Sequence, residues 1–214
     1  MKSKSRGRYR NYHRNRLEIL RSAAREFSRN GFAQATMQEI ADCIQMTKAN
    51  LYYYFRSKQE LLFFCQDYSL DRMLEEARQI VRRHDAADVQ LHRIIRAQLR
   101  CMLDDVQGSA AHIEFRDLPP ALLGKIIEKR DQYEHLLRRL VKRGMDQGVF
   151  RECDIRAAVW AMLGALNWTA QWYSPNGSLS VEEIGEQFAD LLVGGLKSES
   201  VTARAGVQNS VGAA

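Results

Sequence analysis

The stretch TKANLYYYFRSK, residues 47–58, places three tyrosines side by side in a segment whose only charged side chains are basic. Tyrosine hydroxyls and basic side chains donate hydrogen bonds to phosphates and to base edges, so this composition suits a contact with nucleic acid. The same rings are equally able to pack in an apolar core. The position of each ring on a helix separates these two uses.

If residues 47–55 form a helix, Leu51 and Phe55 lie together on one side of it and can enter a core. Tyr54 lies on the flank, where it can either pack or donate its hydroxyl to a phosphate. The side chains predicted to face outward are Lys48, Ala49, Tyr52 and Tyr53.

The residues around this stretch carry start and stop signals for short helices. Apolar residues at helical spacing indicate a first helix over about residues 15–30, which stops at its Asn-Gly end. Thr36-Met37-Gln38-Glu39 is a capping box that starts a second helix, Thr47 can cap a third, and Ser57-Lys58-Gln59-Glu60 is a capping box for a fourth. Three short helices joined by tight turns are the pattern of a helix-turn-helix.

The positive charge of the chain is concentrated at one end. Residues 1–60 contain 13 Lys/Arg and 5 Asp/Glu, a net charge of +8, whereas residues 61–214 contain 19 and 21, a net charge of −2. The first 16 residues carry seven cations and no acid. This asymmetry indicates binding to a polyanion, nucleic acid first and an anionic membrane surface second. For the tail alone, a solvated segment that keeps the protein soluble is the alternative.

Length and composition favour a folded, all-helical chain. Its 214 residues are 45% hydrophobic and 27% charged with three prolines, which allows a substantial core and favours helix almost throughout. The longest apolar run, residues 157–166, is shorter than the roughly 20 residues of a membrane-spanning helix. No apolar segment follows the basic N-terminus as it does in a secretory signal, so we expect a cytoplasmic location.

The sequence contains no motif for catalysis or metal binding. Gly-rich phosphate loops, G-x-S-x-G and H-E-x-x-H are absent, and the five histidines share no ligand spacing. The four cysteines form no C-x-x-C pair, which favours isolated thiols in a reducing compartment. We therefore expect no enzyme activity, no cofactor and no bound metal.

The rest of the chain is predicted to be helical up to residue 197, and residues 198–214 are predicted to be a disordered tail because they are small and polar. Asp154 and the box Ser180-Val181-Glu182-Glu183 supply starts for the last two helices. The predicted helical segments are 61–83, 88–107, 119–147, 154–173 and 180–197.

Residues 27–62, FSRNGFAQATMQEIADCIQMTKANLYYYFRSKQELL, resemble the DNA-binding domain of the TetR family of transcriptional repressors. The match includes F-x-x-x-G-F, T-x-x-x-I-A and L-Y-Y-Y-F-x-S-K-x-E-L-L. One departure is Gln45 at the turn between the second and third helices, where the family usually has glycine. A left-handed backbone at Gln45 would cost on the order of 1 kcal/mol.

The resemblance implies an all-α protein with an N-terminal three-helix helix-turn-helix domain and a C-terminal helical domain for ligand binding and dimerisation. The implied organisation is a basic arm at residues 1–14, a DNA-binding domain at 15–60, a ligand-binding and dimerisation domain at 61–197 and a tail at 198–214. A homodimer would bind a palindromic double-stranded operator and repress transcription until a small-molecule effector binds. The positions that carry DNA contacts in relatives are Thr36, Thr47, Lys48, Ala49, Tyr52, Tyr53, Tyr54 and Lys58.

In this family the last two helices pair with their copies in the dimer. The last two predicted helices carry small and large apolar residues that fit such an interface, and the core of one chain is the competing interpretation for about half of them. These residues are Ala158, Ala161, Ala165, Leu166, Ile184, Phe188, Leu191 and Leu192.

Residues 164–196 are also similar to the C-terminal end of TetR-family repressors of fatty-acid or steroid degradation, which release DNA on binding an acyl-CoA thioester. That similarity implies arginines on the CoA phosphates and aromatic or methionine side chains on the acyl part. For the two tryptophans, packing in the core is the alternative to a ligand contact. The predicted lining of the effector site is Arg96, Arg100, Met102, His112, Phe115, Arg116, Trp168 and Trp172.

A helical protein that uses its basic arm on a membrane surface or on RNA is the alternative function. The helix-turn-helix spacing separates these possibilities, because it requires duplex DNA with half-sites at a fixed separation.

Overall fold

The computed structural model describes residues 2–103 and 118–198, with residues 2–13 and Ser28 described by their backbone alone. Within these ranges the chain forms eight α-helices, and its extended pairing is limited to one antiparallel bridge between Phe150 and Lys197. The predicted all-α fold is confirmed. The helices in chain order are α1 (Lys2–Gln34), α2 (Met37–Cys43), α3 (Lys48–Tyr54), α4 (Lys58–Val81), α5 (Ala87–Leu103), α6 (Pro120–Asp146), α7 (Ile155–Trp172) and α8 (Val181–Gly194).

The chain divides into two compact units. Unit 1 contains Met1–Asp71 and Cys101–Glu128, and unit 2 contains Arg72–Arg100 and Lys129–Ala214. Helices α1 to α3 belong to unit 1, α7 and α8 belong to unit 2, and α4, α5 and α6 each contribute residues to both. None of the described helices has both the length and the apolar composition needed to cross a membrane.

One apolar core joins α1, α2, α3 and the start of α4 in unit 1. Leu51 and Phe55, which the helical wheel assigns to the interior, are both 0% exposed. Each large apolar side chain that is fully buried contributes about 1.5–3 kcal/mol of transfer free energy. The buried side chains of this core include Ile19, Leu20, Phe27, Ile40, Leu51, Phe55, Leu61 and Leu62.

Helix α1 begins earlier than predicted. It begins at Lys2 rather than near residue 15, so the predicted start is wrong. Apolar periodicity reports only the part of a helix that contacts a core, and the basic first residues carry no such period. The predicted stop at Asn30-Gly31 coincides with a break in the helix, because Gly31 has the non-helical angles φ 74° and ψ 158°, and a short helical stretch follows up to Gln34.

The predicted starts of α2 and α3 are confirmed. Thr36 and the carboxylate of Glu39 form a complete capping box on α2, and the Thr47 hydroxyl accepts from the N–H of Asn50 at 3.1 Å. The box predicted at Ser57 is half formed. Its Ser57 hydroxyl accepts from the N–H of Glu60 at 3.1 Å, but the Glu60 carboxylate accepts from the N–H of Arg56 at 2.6 Å.

A Schellman motif connects α2 to α3. The N–H of Met46 donates to the carbonyl of Ala41 at 2.9 Å, and the N–H of Gln45 donates to the carbonyl of Asp42 at 3.1 Å. This pattern needs a left-handed residue after the C-cap, and glycine usually supplies it. Gln45 occupies that position with φ 54°, and among the described residues it is the one non-glycine with a positive φ.

Caps and side-chain hydrogen bonds also define the helices of unit 2. Asp154 Oδ1 accepts from the N–H of Ala157 at 2.8 Å at the start of α7, and Ser180 with Glu183 forms the predicted capping box of α8. Tyr133 on α6 donates its buried hydroxyl to Gln98 Oε1 on α5 at 3.0 Å. The predicted starts of the last two helices are therefore confirmed.

Substitution of Gln45 tests the left-handed turn. Gln45→Val is expected to lower the free energy of unfolding by about 1 kcal/mol or more, because β-branched residues rarely adopt a positive φ. Gln45→Gly is expected to be neutral or slightly stabilising, since relief of strain offsets the greater entropy of glycine in the unfolded chain. Urea denaturation followed by circular dichroism measures both.

The exposed Gln132 in the middle of α6 provides the matched control for Gln45. Glycine costs more than valine inside a helix, so the order of the two substitutions is expected to reverse at Gln132. Equal stability of Gln45→Val and Gln45→Gly would contradict the left-handed turn.

Candidate DNA-binding surface and effector residues

Helix α3 exposes one face to solvent. Tyr52 is 42% exposed and Tyr53 is 74% exposed, while Lys48 and Ala49 are also exposed. These four residues are called the outward face of α3. The prediction that they face outward is confirmed, and their contact with DNA stays a prediction.

Tyr54 is held by contacts inside unit 1. Its ring is half-buried against the apolar core, and its hydroxyl accepts a hydrogen bond from Nδ2 of Asn15 on α1 at 2.8 Å. The ring also meets the ring of Tyr53 edge to face, with centroids 5.3 Å apart and planes at 89°. The sequence left two roles open for Tyr54, packing or a phosphate contact, and the structure shows packing. The ring of Tyr54 also packs against the exposed ring of Tyr53.

The exposed Thr36 closes the start of α2. Its hydroxyl and its N–H donate to the Glu39 carboxylate at 2.6 and 2.9 Å, and these two bonds lower the pKa of Glu39. The charged carboxylate lies at the N-terminus of α2, where the helix dipole favours a negative charge. A role for Thr36 on DNA stays a prediction.

The ammonium of Lys58 points into the protein. It donates to the carbonyl oxygens of Phe32, Ala33 and Ala35 at 2.6, 3.1 and 2.9 Å. It also lies 4.5 Å from the centre of the Phe32 ring. The predicted contact between Lys58 and DNA is not tested, but this set of partners differs from the phosphate that the resemblance implies.

Two residues of α1 that position α3 were not predicted. Asn15 holds Tyr54, and the guanidinium of Arg16 stacks on Phe64 and Phe55 at 4.1 and 4.9 Å from the ring centres. A basic residue over an aromatic ring contributes about 0.5–1 kcal/mol or more. No local sequence signal identifies either contact, because the partners lie far apart in the sequence.

Two of the predicted effector residues, Arg96 and Arg100, form ion pairs within the protein. Arg96 pairs with Glu186 at 3.0 Å, and Arg100 pairs with Glu76 at 3.1 Å, both within unit 2. Met102 is buried and belongs to unit 1. Three further predicted residues lie outside the described residues: His112, Phe115 and Arg116.

The two predicted tryptophans lie on α7 and are exposed. Trp168 is 67% exposed, so packing in the core of its own chain is wrong for this ring. Trp172 is 46% exposed, and its ring centre lies 6.3 Å from that of Phe188 on α8. Their contact with an effector stays a prediction.

Arg130 on α6 was not predicted, and burial lowers the pKa of its guanidinium.

Helices α7 and α8 each expose a stripe of residues at helical spacing. The residues on these stripes were predicted to form either an interface or a core, and burial assigns Leu166 and Ile184 to the core and leaves Ala161 and Leu191 exposed. A side chain added at Gly164 or at Gly194 would meet nothing within 4 Å. The outer stripe of α7 is Ala157, Trp160, Ala161, Gly164 and Trp168, and the outer stripe of α8 is Gln187, Leu191 and Gly194.

A histidine and two carboxylates meet between α5 and α8. Nε2 of His92 lies 3.1 Å from Asp190 and 3.5 Å from Glu186, and these ligand atoms all lie within 4.8 Å of one another. Arg96 already supplies a cation to Glu186, so the group is a partly exposed polar network that joins the two helices.

The geometry of unit 1 defines a class of protein. Two short helices, α2 and α3, are joined by a tight turn, and α3 exposes lysine and tyrosine on a face opposite to its buried residues. This is the helix-turn-helix arrangement, whose second helix enters the major groove of DNA. The chain is thus a helix-turn-helix protein.

Comparison with known families makes the assignment specific. Residues 19–63 match the family described as bacterial regulatory proteins, tetR family, and residues 84–196 match the tetracyclin repressor-like C-terminal domain. The protein belongs to the TetR family of transcriptional regulators. Members of this family are regulators and not enzymes, and the alternative of a membrane-surface or RNA-binding protein is not favoured.

Individual relatives cover most of the chain. The repressor KstR2 of Mycobacterium tuberculosis strain H37Rv is 25% identical over an alignment of 201 residues that covers 87% of this chain and 94% of KstR2. The regulator PfmR of Thermus thermophilus is 31% identical, with a TM-score of 0.76 over 84% of this chain and 99% of PfmR. AibR in complex with isovaleryl coenzyme A and operator DNA is 28% identical, with a TM-score of 0.73 over 85% and 98% of the two chains.

Proposed function

We propose that this protein is a cytoplasmic, ligand-responsive repressor that binds a palindromic DNA operator as a homodimer. The observation that carries the proposal is the outward face of α3, which exposes one lysine and two tyrosines. The opposite side of the same helix is buried in the core. Lysine and tyrosine hydroxyls reach phosphates and base edges, and the small Ala49 permits a close approach of the backbone.

Substitutions on the outward face test DNA binding. Lys48→Ala or Tyr52→Ala is expected to lower operator affinity by about tenfold or more, since each contact to DNA is worth about 1–3 kcal/mol. The probe is a duplex selected from random DNA by the wild-type protein, and fluorescence anisotropy measures its affinity. Thermal stability is expected to be unchanged, because both side chains are exposed.

Lys142→Ala is the control for Lys48→Ala, because Lys142 is an exposed lysine on α6 of unit 2. It is expected to bind the selected duplex like the wild type. Normal affinity in both Lys48→Ala and Tyr52→Ala would refute the assignment of the outward face.

The outer stripes of α7 and α8 support the homodimer. Trp168 and Leu191 are 67% and 74% exposed, and exposed apolar residues of this size in a stripe are typical of an interface. Ala161, Gly164 and Gly194 lie on the same stripes and allow a second helix to approach closely. A two-fold axis would bring identical stripes together.

A charge on the α8 stripe tests the dimer. Leu191→Glu is expected to give monomers at micromolar concentration, because it places a desolvated carboxylate in the interface. Leu179→Glu is the matched control, since Leu179 is 38% exposed but lies before α8 and outside both stripes. Sedimentation velocity distinguishes the species, and a monomeric wild-type protein would exclude this part of the proposal.

An acyl-CoA thioester is the effector class that one structural relative supports. AibR, which has been solved with isovaleryl coenzyme A and operator DNA, covers most of this chain at 28% identity. Arg96 pairs with Glu186, and Arg100 pairs with Glu76. Each arginine can bind a CoA phosphate if the phosphate displaces its carboxylate partner.

A panel of acyl-CoA thioesters tests the effector. Short branched, long straight and polycyclic acyl chains are compared with free CoA and with the free acids. A true effector at 100 times its Kd is expected to raise Tm by about 5–10 °C, from about 2.7 kcal/mol of stabilisation. It is also expected to release the selected duplex in a gel-shift experiment. Absence of both effects for every thioester would remove this effector class.

A further inference from the structure

The first turn of α4 contacts the chain at both ends of the helix-turn-helix. Lys58 donates to the carbonyls of Phe32 and Ala33 at the end of α1 and of Ala35 in the connection to α2. Two residues later, the carboxylate of Glu60 accepts from the N–H of Arg56, directly after α3. The two side chains thus connect one helical turn to the start of α2 and to the end of α3.

The carbonyls that Lys58 contacts need a donor. They belong to the end of α1 and the residue that follows, where a helix leaves its last four carbonyls without intrahelical N–H partners. These carbonyls also carry the partial negative charge of the helix C-terminus. An ammonium has three N–H groups, and Lys58 directs them to three carbonyl oxygens at 2.6–3.1 Å.

The position of α2 depends on this connection. Ala35, the last of the three carbonyl residues, directly precedes Thr36, which is the N-cap of α2. A shift of Ala35 therefore displaces the capping box and, through the tight turn at Gln45, the helix that carries the outward face.

We propose that Lys58 is a positioning residue for DNA recognition, which clamps the α1–α2 connection and does not contact a phosphate. The inference rests on the proposed DNA-binding function. It reassigns Lys58, because a phosphate contact and three carbonyl contacts compete for the same ammonium protons.

The salt dependence of DNA affinity distinguishes the two roles. Each lysine that binds a phosphate contributes about 0.9 to the slope of log Kobs against log salt concentration. Lys48→Met, on the outward face, is expected to reduce the magnitude of that slope by about 1.8 for the two copies in a dimer. Lys58→Met is expected to lower affinity for the selected duplex by about tenfold or more with the wild-type slope.

Lys58→Arg provides a second variant that keeps the charge. A planar guanidinium cannot direct three N–H groups to three converging carbonyls, so this variant is expected to bind as weakly as Lys58→Met. Lys142→Met is the control and is expected to match the wild type in affinity and slope. Circular dichroism confirms the fold of each variant, and if Lys58→Met does not fold, Lys58→Arg decides.

Three results would overturn the clamp: a slope lowered by Lys58→Met as much as by Lys48→Met, wild-type affinity in Lys58→Met, or wild-type affinity in Lys58→Arg. Hydrogen exchange without DNA separates this inference from the proposed function. Faster exchange at residues 36–39 in Lys58→Arg supports the clamp even if the wild-type protein selects no duplex, and unchanged exchange there contradicts it.

Discussion

The helix-turn-helix depends on how its unpaired backbone groups are satisfied. Helices α2 and α3 have seven residues each, and a helix leaves its first four N–H groups and last four carbonyls without internal partners. Helices this short are unstable alone in water. Their stability therefore comes from Thr36 and Thr47 at the N-termini, from the Schellman turn, and from the core around Leu51 and Phe55. Every residue that fixes these ends also fixes the outward face.

The same terminating motif occurs twice in the described chain with different residues. After α6, the N–H of Val149 donates to the carbonyl of Gly144, and Gly148 supplies the positive φ of 68°. After α2, Gln45 adopts the positive φ, with a value of 54°. This conformation is strained for a residue with a side chain and would not be strained for glycine. The strain is tolerated because the hydrogen bonds of the turn and the buried Ile40 and Ala41 determine the path of the chain.

Local signals made several helix starts in both units predictable from the sequence. Capping boxes and helical periodicity act within four residues, so the starts of α2, α3, α7 and α8 and the outward direction of Tyr52 and Tyr53 follow from them. The contacts that sequence reasoning missed join residues far apart, as in Asn15 with Tyr54 and Lys58 with Ala35. The start of α1 was missed for another reason, because a basic helix without an apolar stripe has no period to detect.

The predicted effector residues stay a prediction, because an arginine has the same sequence signature in an ion pair as in a phosphate site. Arg96 and Arg100 each have a carboxylate partner, and an effector must offer them more than these carboxylates do. Both pairs are partly exposed, so solvent lowers the cost of exchanging a carboxylate for a phosphate, and charge alone then provides little selectivity. Under the proposed response, an effector changes operator affinity only as far as it binds one conformation better than another. That difference must therefore come from the acyl group and the side chains around it.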